Sequence, residues 1–102
     1  MILCIDTAHQ KIVKVSLKEN GLVAKTLTEE NEYGSQVLLP LIEKILKVEK
    51  LDFNDLKGIE VETGPGSFTG LRVGISVANA LAFSLMIPVN GKKVENEVEY
   101  NS

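Results

Sequence analysis

A single cysteine, Cys4, and a single histidine, His9, deny this 102-residue sequence an intrachain disulfide framework, a multi-cysteine metal site and a histidine-pair metal site. Cys4 stands in an apolar run and reads as a small buried hydrophobe. There is no excess of positive charge: 11 Lys and Arg against 14 Asp and Glu leave −3, and the lysines are scattered among acids. Without a basic stripe, direct binding of nucleic acid by this chain is not expected. Met1-Ile2-Leu3-Cys4-Ile5-Asp6 has neither a positively charged opening nor a small-residue cleavage site, so it reads as a strand and not a signal. The apolar segment 71–89 is interrupted by Arg72 and Asn79 and falls short of a convincing membrane span. With 44% hydrophobic and 25% charged residues, the chain has an ordinary globular composition. One compact cytoplasmic domain is the expectation.

Hydrophobic periodicity sets the elements. Residues 2–7 are apolar on both alternating faces, the mark of a strand covered on both sides, whereas in 11–18 Val13, Val15 and Leu17 oppose Lys14, Ser16 and Lys18. After the turn at Glu19-Asn20-Gly21, residues 22–28 complete a three-stranded antiparallel meander. Ser35 is placed to cap a helix carrying Val37, Leu38, Leu41, Ile42, Ile45 and Leu46 at spacings of three and four. Pro40, in its first turns, predicts a slight kink or a late start. Asp52-Phe53-Asn54-Asp55 offers an N-cap with an acid three positions on, and Ile59-Glu60-Val61-Glu62-Thr63 reads as a strand. A glycine loop then feeds a helix over 71–85, which Pro88 ends before a last short strand near Val89. The result is an α/β fold, βββαβαβ, with a mixed sheet of about five strands; residues 92–102 read as a polar C-terminal extension.

The segment 63–86 is the most informative. On a wheel of about 100° per residue the helix has a narrow polar slice, Arg72, Ser76 and Asn79, with Phe83 intruding on it. A helix apolar most of the way round must be covered on more than one side. Gly66, Gly70, Gly74, Ala78 and Ala82 recur every four residues and form a smooth groove for close approach of another helix. Two readings stay open: a partner helix fills the groove, or the stripe lets the helix sit close to its own sheet or to the preceding helix. For the partner reading the anchors are Leu71, Ile75, Ala78, Leu81 and Ala82, around the gaps at Gly70 and Gly74, with Leu38, Ile42 and Ile45 as neighbours. Gly64, Gly66, Ser67, Thr69 and Gly70 form a candidate phosphate loop at a helix start. Its spacing matches neither the lysine-bearing nucleotide loop nor the dinucleotide fingerprint, and a sharp strand-to-helix turn capped by Ser67 or Thr69 accounts for it equally well.

Ile5-Asp6-Thr7-Ala8, Ser35-Gln36-x-Leu38-Leu39-Pro40-Leu41-Ile42, Gly64-Pro65-Gly66-Ser67-Phe68-Thr69-Gly70-Leu71-Arg72-Val73-Gly74 and Ile87-Pro88-Val89-x-Gly91 together resemble the N-terminal lobe of the TsaB (YeaZ) family over residues 1–91. The resemblance implies a single actin/Hsp70-like (ASKHA, ribonuclease H-like) lobe. It also implies a partner, TsaD, which transfers the threonylcarbamoyl group in making threonylcarbamoyladenosine on tRNA, with TsaE an ATPase that engages the pair and TsaB the inactive paralogue. Two departures accompany it: the family's usual second lobe is absent from this length, and Gly34 stands where members commonly place a histidine.

No nucleophile with a base, metal set or paired carboxylates in a cleft is visible. Glu60 and Glu62 share one strand face and describe a solvated edge, and Asp6, where actin-like ATPases carry a phosphate and metal-site acid, is followed by Thr7-Ala8-His9 in place of the expected glycine and threonine pattern. The expectation is therefore a non-catalytic partner of TsaD, without cofactor or metal. The alternatives are a self-associating homodimeric lobe using the same helices and a residual nucleotide-binding ATPase-like protein.

Overall fold

The computed structural model describes residues 1–30 and 34–92, the side chains of residues 34 and 35 excepted. Four strands form one mixed sheet in the order β3-β2-β1-β4: β1 is Ile2–Asp6, β2 Ile12–Glu19, β3 Leu22–Glu30 and β4 Gly58–Val61. The short turns after β1 and β2 make β1–β2 and β2–β3 antiparallel, with Ile2 opposite Lys18 and Asp6 opposite Lys14. Leu17 pairs with Lys25 but Lys18 with Val23, so Ala24 is the extra residue of a bulge. β4 returns parallel to β1, Ile2 opposite Gly58 and Ile5 opposite Val61, after a crossover through α1, Gly34–Val48, and a single 3-10 turn, Phe53–Asp55. Asp55 stabilises that turn by accepting the Asp52 N–H at 2.8 Å.

Both helices lie on one face of the sheet, α1 over β2 and β3, and α2, Phe68–Leu85, over β1 and β4. The core is that layer: Leu3 and Ile5 of β1, Val13, Val15 and Leu17 of β2, Ile59 and Val61 of β4, Leu38, Leu41, Ile42, Ile45 and Leu46 of α1, and Ala78 and Ala82 of α2. β1 is central, as predicted, but covered on one side only. Its Leu3 and Ile5 are buried while Ile2, Cys4 and Asp6 are half-buried on the open face. The alternation in β2 has the predicted sense, with Ser16 the exception: it is buried on the open face, where its hydroxyl and that of Thr26 share a hydrogen bond of 2.9 Å.

α1 starts at Gly34 and runs through Pro40, so the late start is not observed, and the predicted capping by the Ser35 side chain lies outside the described residues. α2 starts three residues before the predicted 71 because Ser67 caps it, its hydroxyl accepting the Gly70 N–H at 3.2 Å. By length and composition α2 would suffice to cross a membrane, a test that helices of soluble cores also pass. It ends at Met86, in the left-handed region.

The fifth strand is reduced to a bridge. Val89 pairs in parallel with Ile59 and antiparallel with Lys92 around Asn90 and Gly91, whose φ values of +50° and +79° make a tight two-residue turn. One residue between Pro88, which has no N–H, and that turn leaves no length for a ladder. Asn90 closes the edge instead: its amide oxygen accepts the Val61 N–H at 2.8 Å and its amide nitrogen donates to the Val61 carbonyl at 3.1 Å. Most of the predicted extension, residues 93–102, lies outside the described residues.

Candidate docking face

The β1–β2 turn is held by its own side chains. Asp6 accepts the Ala8 N–H at 3.0 Å and His9 Nδ1 accepts the Lys11 N–H at 3.2 Å, so the Asp6 carboxylate serves as an Asx-type turn brace. The start of α2 crosses this turn closely. Ser67 donates its N–H to the Ala8 carbonyl at 2.7 Å, and the buried Thr7 hydroxyl donates to the Gly70 carbonyl at 2.5 Å. A Cβ on Gly66 would stand 2.5 Å from the Ala8 Cβ; one on Gly70 would overlap the Thr7 carbonyl oxygen, and one on Gly74 the Thr7 hydroxyl. The glycines are required by this crossing.

Two sequence expectations are corrected by that geometry. The space that Gly66 and Gly70 leave for close backbone approach is filled by Thr7 and Ala8, and the Ser67 hydroxyl is engaged with Gly70 N–H. Gly64 N–H points to the Glu62 carboxylate at 3.4 Å. Of the candidate phosphate loop Gly66 and Thr69 stay exposed, while Gly64, Ser67 and Gly70 are half-buried, and the segment serves as the strand-to-helix turn. The small-residue stripe faces inward as well: Gly74, Ala78 and Ala82 are buried against the sheet, and Leu38, Ile42 and Ile45 lie in the core between α1 and the sheet. These six, with Gly70 pressed on Thr7, form no partner seam. Leu71, Ile75 and Leu81 are half-buried along its flanks.

What α2 turns outward is the slice that the wheel marked as polar: Thr69, Arg72, Ser76 and Ala80 are exposed and Asn79 is half-exposed. Three large apolar side chains share that face, Phe68 at 73% exposure, Phe83 at 51% and Met86 at 90%. Arg72 lies over the Phe68 ring, its guanidinium carbon 5.3 Å from the centroid. Arg72 is also the one charged residue in the 18 of α2. Aromatic residues, Met and Arg in a surface otherwise poor in charge are the types enriched at protein interfaces.

The open face of the sheet is polar. A shallow groove of about 580 Å³ is lined by Cys4, Asp6, Lys14, Lys18, Glu60 and Glu62 among others. Lys18 Nζ pairs with Glu60 Oε1 at 2.8 Å, and the Cys4 thiol donates to the same oxygen at 3.7 Å. Burial, reinforced by the Glu60 charge, pushes the Cys4 thiol up to about 11. The hydrogen bond between Lys18 and Glu60 raises the lysine and lowers the carboxylate. The Cys4 thiol is thus held protonated, and Glu60 is paired with Lys18 in a solvated setting.

A family model described as TsaD, tRNA N6-adenosine threonylcarbamoyltransferase, matches residues 23–91. The tRNA threonylcarbamoyladenosine biosynthesis protein TsaB of Bacillus subtilis is 35% identical over 89 residues, 87% of this chain and 39% of that protein. TsaB of Escherichia coli is 34% identical over 90 residues, 88% and 38% of the two chains. The solved structure of YeaZ from Pseudomonas aeruginosa superimposes with a TM-score of 0.78 at 32% identity, over 86% of this chain and 42% of that one. The chain belongs to the TsaB (YeaZ) family. It spans about two fifths of the length of those TsaB relatives. Similarity extends to the transferase side of the family: the tRNA N6-adenosine threonylcarbamoyltransferase of Syntrophus aciditrophicus is 31% identical over 99 residues, 86% of this chain and 29% of that protein. The α/β architecture, a mixed sheet with both helices on one face, is that of the YeaZ structure over the shared region.

Phe68, Arg72, Phe83 and Met86 are absent from the candidates that the TsaB-like sequence offers; Phe68 precedes the predicted helix start at 71 and Met86 follows its end at 85. The signal was present: Phe68, Arg72, Asn79, Phe83 and Met86 fall within about 60° of one another on the wheel.

Proposed function

We propose that this chain is a non-catalytic ASKHA-type lobe that serves threonylcarbamoyladenosine biosynthesis on tRNA by docking onto TsaD in the cytoplasm. One observation carries the reading: the outward face of α2 leaves Phe68, Phe83 and Met86 exposed. Leu22, Val23, Leu39 and Val48 are exposed elsewhere, but the outward side of α2 joins two aromatic rings, a methionine and an arginine, the residue types favoured at interfaces. The family relationship supports a functional link to TsaD: a model described as TsaD matches residues 23–91, and the TsaB relatives are named for threonylcarbamoyladenosine biosynthesis on tRNA.

A scaffolding role is supported by how the polar groups are engaged. Asp6 braces the Ala8 N–H, Thr7 holds α2, and the glycine loop is closed over Ala8, so the groups that could serve phosphate chemistry are committed to the fold. TsaE is expected to engage the assembled pair.

Co-elution of the purified chain with the TsaD of its own organism tests the reading. Met86→Asp and Phe83→Asp should abolish co-elution, and the thermal transition of each variant separates loss of binding from the cost of an acid at the helix C-terminus. A wild-type chain that fails to co-elute would refute the proposal. Detectable ATP binding, lost in Asp6→Ala, would contradict the non-catalytic assignment.

A further inference from the structure

We infer that Asn20 is a site of spontaneous modification, its side-chain amide converting to aspartate and isoaspartate, and that Asn90, in the same dipeptide and the same turn conformation, is protected by the sheet edge. Both asparagines are exposed and both precede glycine, as Asn20-Gly21 and Asn90-Gly91. Each pair fills a two-residue turn with both φ values positive, +54° and +80° in the first, +50° and +79° in the second. Nothing lies within 4 Å of where a Cβ would stand on Gly21 or Gly91, so both turns are open on the glycine side. The sites differ in what holds the amide. At Asn90 the amide oxygen accepts the Val61 N–H at 2.8 Å and the amide nitrogen donates to the Val61 carbonyl at 3.1 Å. Among the described residues no group bonds the Asn20 amide.

The reaction needs only water and a trace of base. The glycine backbone nitrogen gives up its proton and attacks the asparagine Cγ; the new N–Cγ bond closes a succinimide ring as the Cγ–Nδ2 bond breaks and ammonia leaves with that proton. Water then opens the ring at either carbonyl. Opening at Cγ gives aspartate, and opening at the main-chain carbonyl gives isoaspartate, whose backbone runs through the side chain. At Asn90, ring closure swings Cγ onto the Gly91 nitrogen and sacrifices both bonds to Val61, which at the usual net strength of a hydrogen bond slows the step roughly thirtyfold. At Asn20 no such bonds are lost. Conversion there adds a negative charge and, in isoaspartate, lengthens a backbone turn of two residues, which disturbs the Glu19–Leu22 pairing that closes β2 on β3. The hairpin lies under α1, apart from the outward face of α2, so the inference does not depend on docking.

The test incubates the intact chain at mildly alkaline pH, folded and in urea, and follows both asparagines over time by proteolytic peptide mapping with mass spectrometry, the asparagine, aspartate and isoaspartate peptides being separated by chromatography. In the folded chain Asn20 should be lost roughly thirtyfold faster than Asn90. In urea, where the bonds to Val61 are gone, the two Asn-Gly sites should react at similar rates. Equal loss at the two sites in the folded chain, or faster loss at Asn90, would refute protection by the sheet edge. An Asn20 that stays intact in the folded chain while it reacts in urea would refute the modification site. A difference that persists undiminished in urea would show that local sequence, not the fold, separates the two, and would also overturn the inference.

Discussion

Gly74 should resist replacement, and Thr7 is the reason. A Cβ at Gly74 overlaps the Thr7 hydroxyl, while its other neighbours, Ile5 Cγ2 and Thr7 Cβ, lie at an ordinary 3.5 Å. Thr7 has little room to move, being 2% exposed and bonded to the Gly70 carbonyl. Replacing an interior helical glycine by alanine should by itself stabilise by about 1 kcal/mol. Against this stand overpacking of about 2 kcal/mol and displacement of the Thr7 hydrogen bond, about 1 kcal/mol. Gly74→Ala should therefore be destabilised by about 2 kcal/mol, which lowers the midpoint of a domain this small by roughly 8–16 °C. In a Thr7→Ala background the obstructing hydroxyl is gone, and the same change should become stabilising by about 1 kcal/mol, a coupling of about 3 kcal/mol in a double-mutant cycle. Thr7→Val separates the two causes, because it loses the hydrogen bond but keeps the bulk, so Gly74→Ala should remain unfavourable there. Urea unfolding of the six proteins supplies the cycle. If Gly74→Ala stabilises the wild-type background as much as it does Thr7→Ala, α2 does not lie on β1 in the way described and the inward assignment of the glycine stripe is wrong.

Three further outcomes are expected. At pH 8 the Cys4 thiol, pushed up to about 11, should hold roughly a hundredfold less thiolate than an unperturbed cysteine and be alkylated correspondingly more slowly until the chain is unfolded; equal rates for folded and urea-unfolded chain would contradict its burial beside Glu60. Asn90→Ala removes both hydrogen bonds to Val61 and should destabilise by about 1–3 kcal/mol, with faster amide exchange at Val61; unchanged exchange there would show that the edge is held by other means. The Lys18–Glu60 pair contributes through a lowered carboxylate and a raised lysine. Its contribution is present above the usual carboxylate range and lost as pH falls through the lowered Glu60 value; at the alkaline end it is lost as pH rises through the raised Lys18 value. Both groups are well solvated, so the difference between wild type and Lys18→Met should be small, screened by salt and vanishing in acid. A difference that grows in acid would invert the sign.

The elements were readable in the sequence because each has a period that its surroundings respect. Val13, Val15 and Leu17 alternate into the core, and Leu38, Ile42 and Ile45 repeat at three and four on the buried side of α1. Strand five was overestimated because an apolar residue after Pro88 reads as a strand whether one bridge or a ladder follows; the left-handed Asn90 and Gly91 decide the matter, and Asn90-Gly91 is a turn signal visible in the sequence. The sequence leaves the inward face of α2 open for a different reason. A wheel gives angles between residues on one helix but not which angle meets the sheet, and the apolar content of α2 is so high that hydropathy alone does not choose. The deciding contact is long-range, between Thr7 and Gly70 and Gly74, more than sixty positions apart. Once small residues are needed where α2 crosses β1, Phe68 and Phe83 are turned away from the sheet by the helical period, and Met86 is exposed at the left-handed cap. The glycine stripe and the exposed Phe68 and Phe83 are thus set on different sides of α2 by one packing choice, the close crossing of α2 over Thr7.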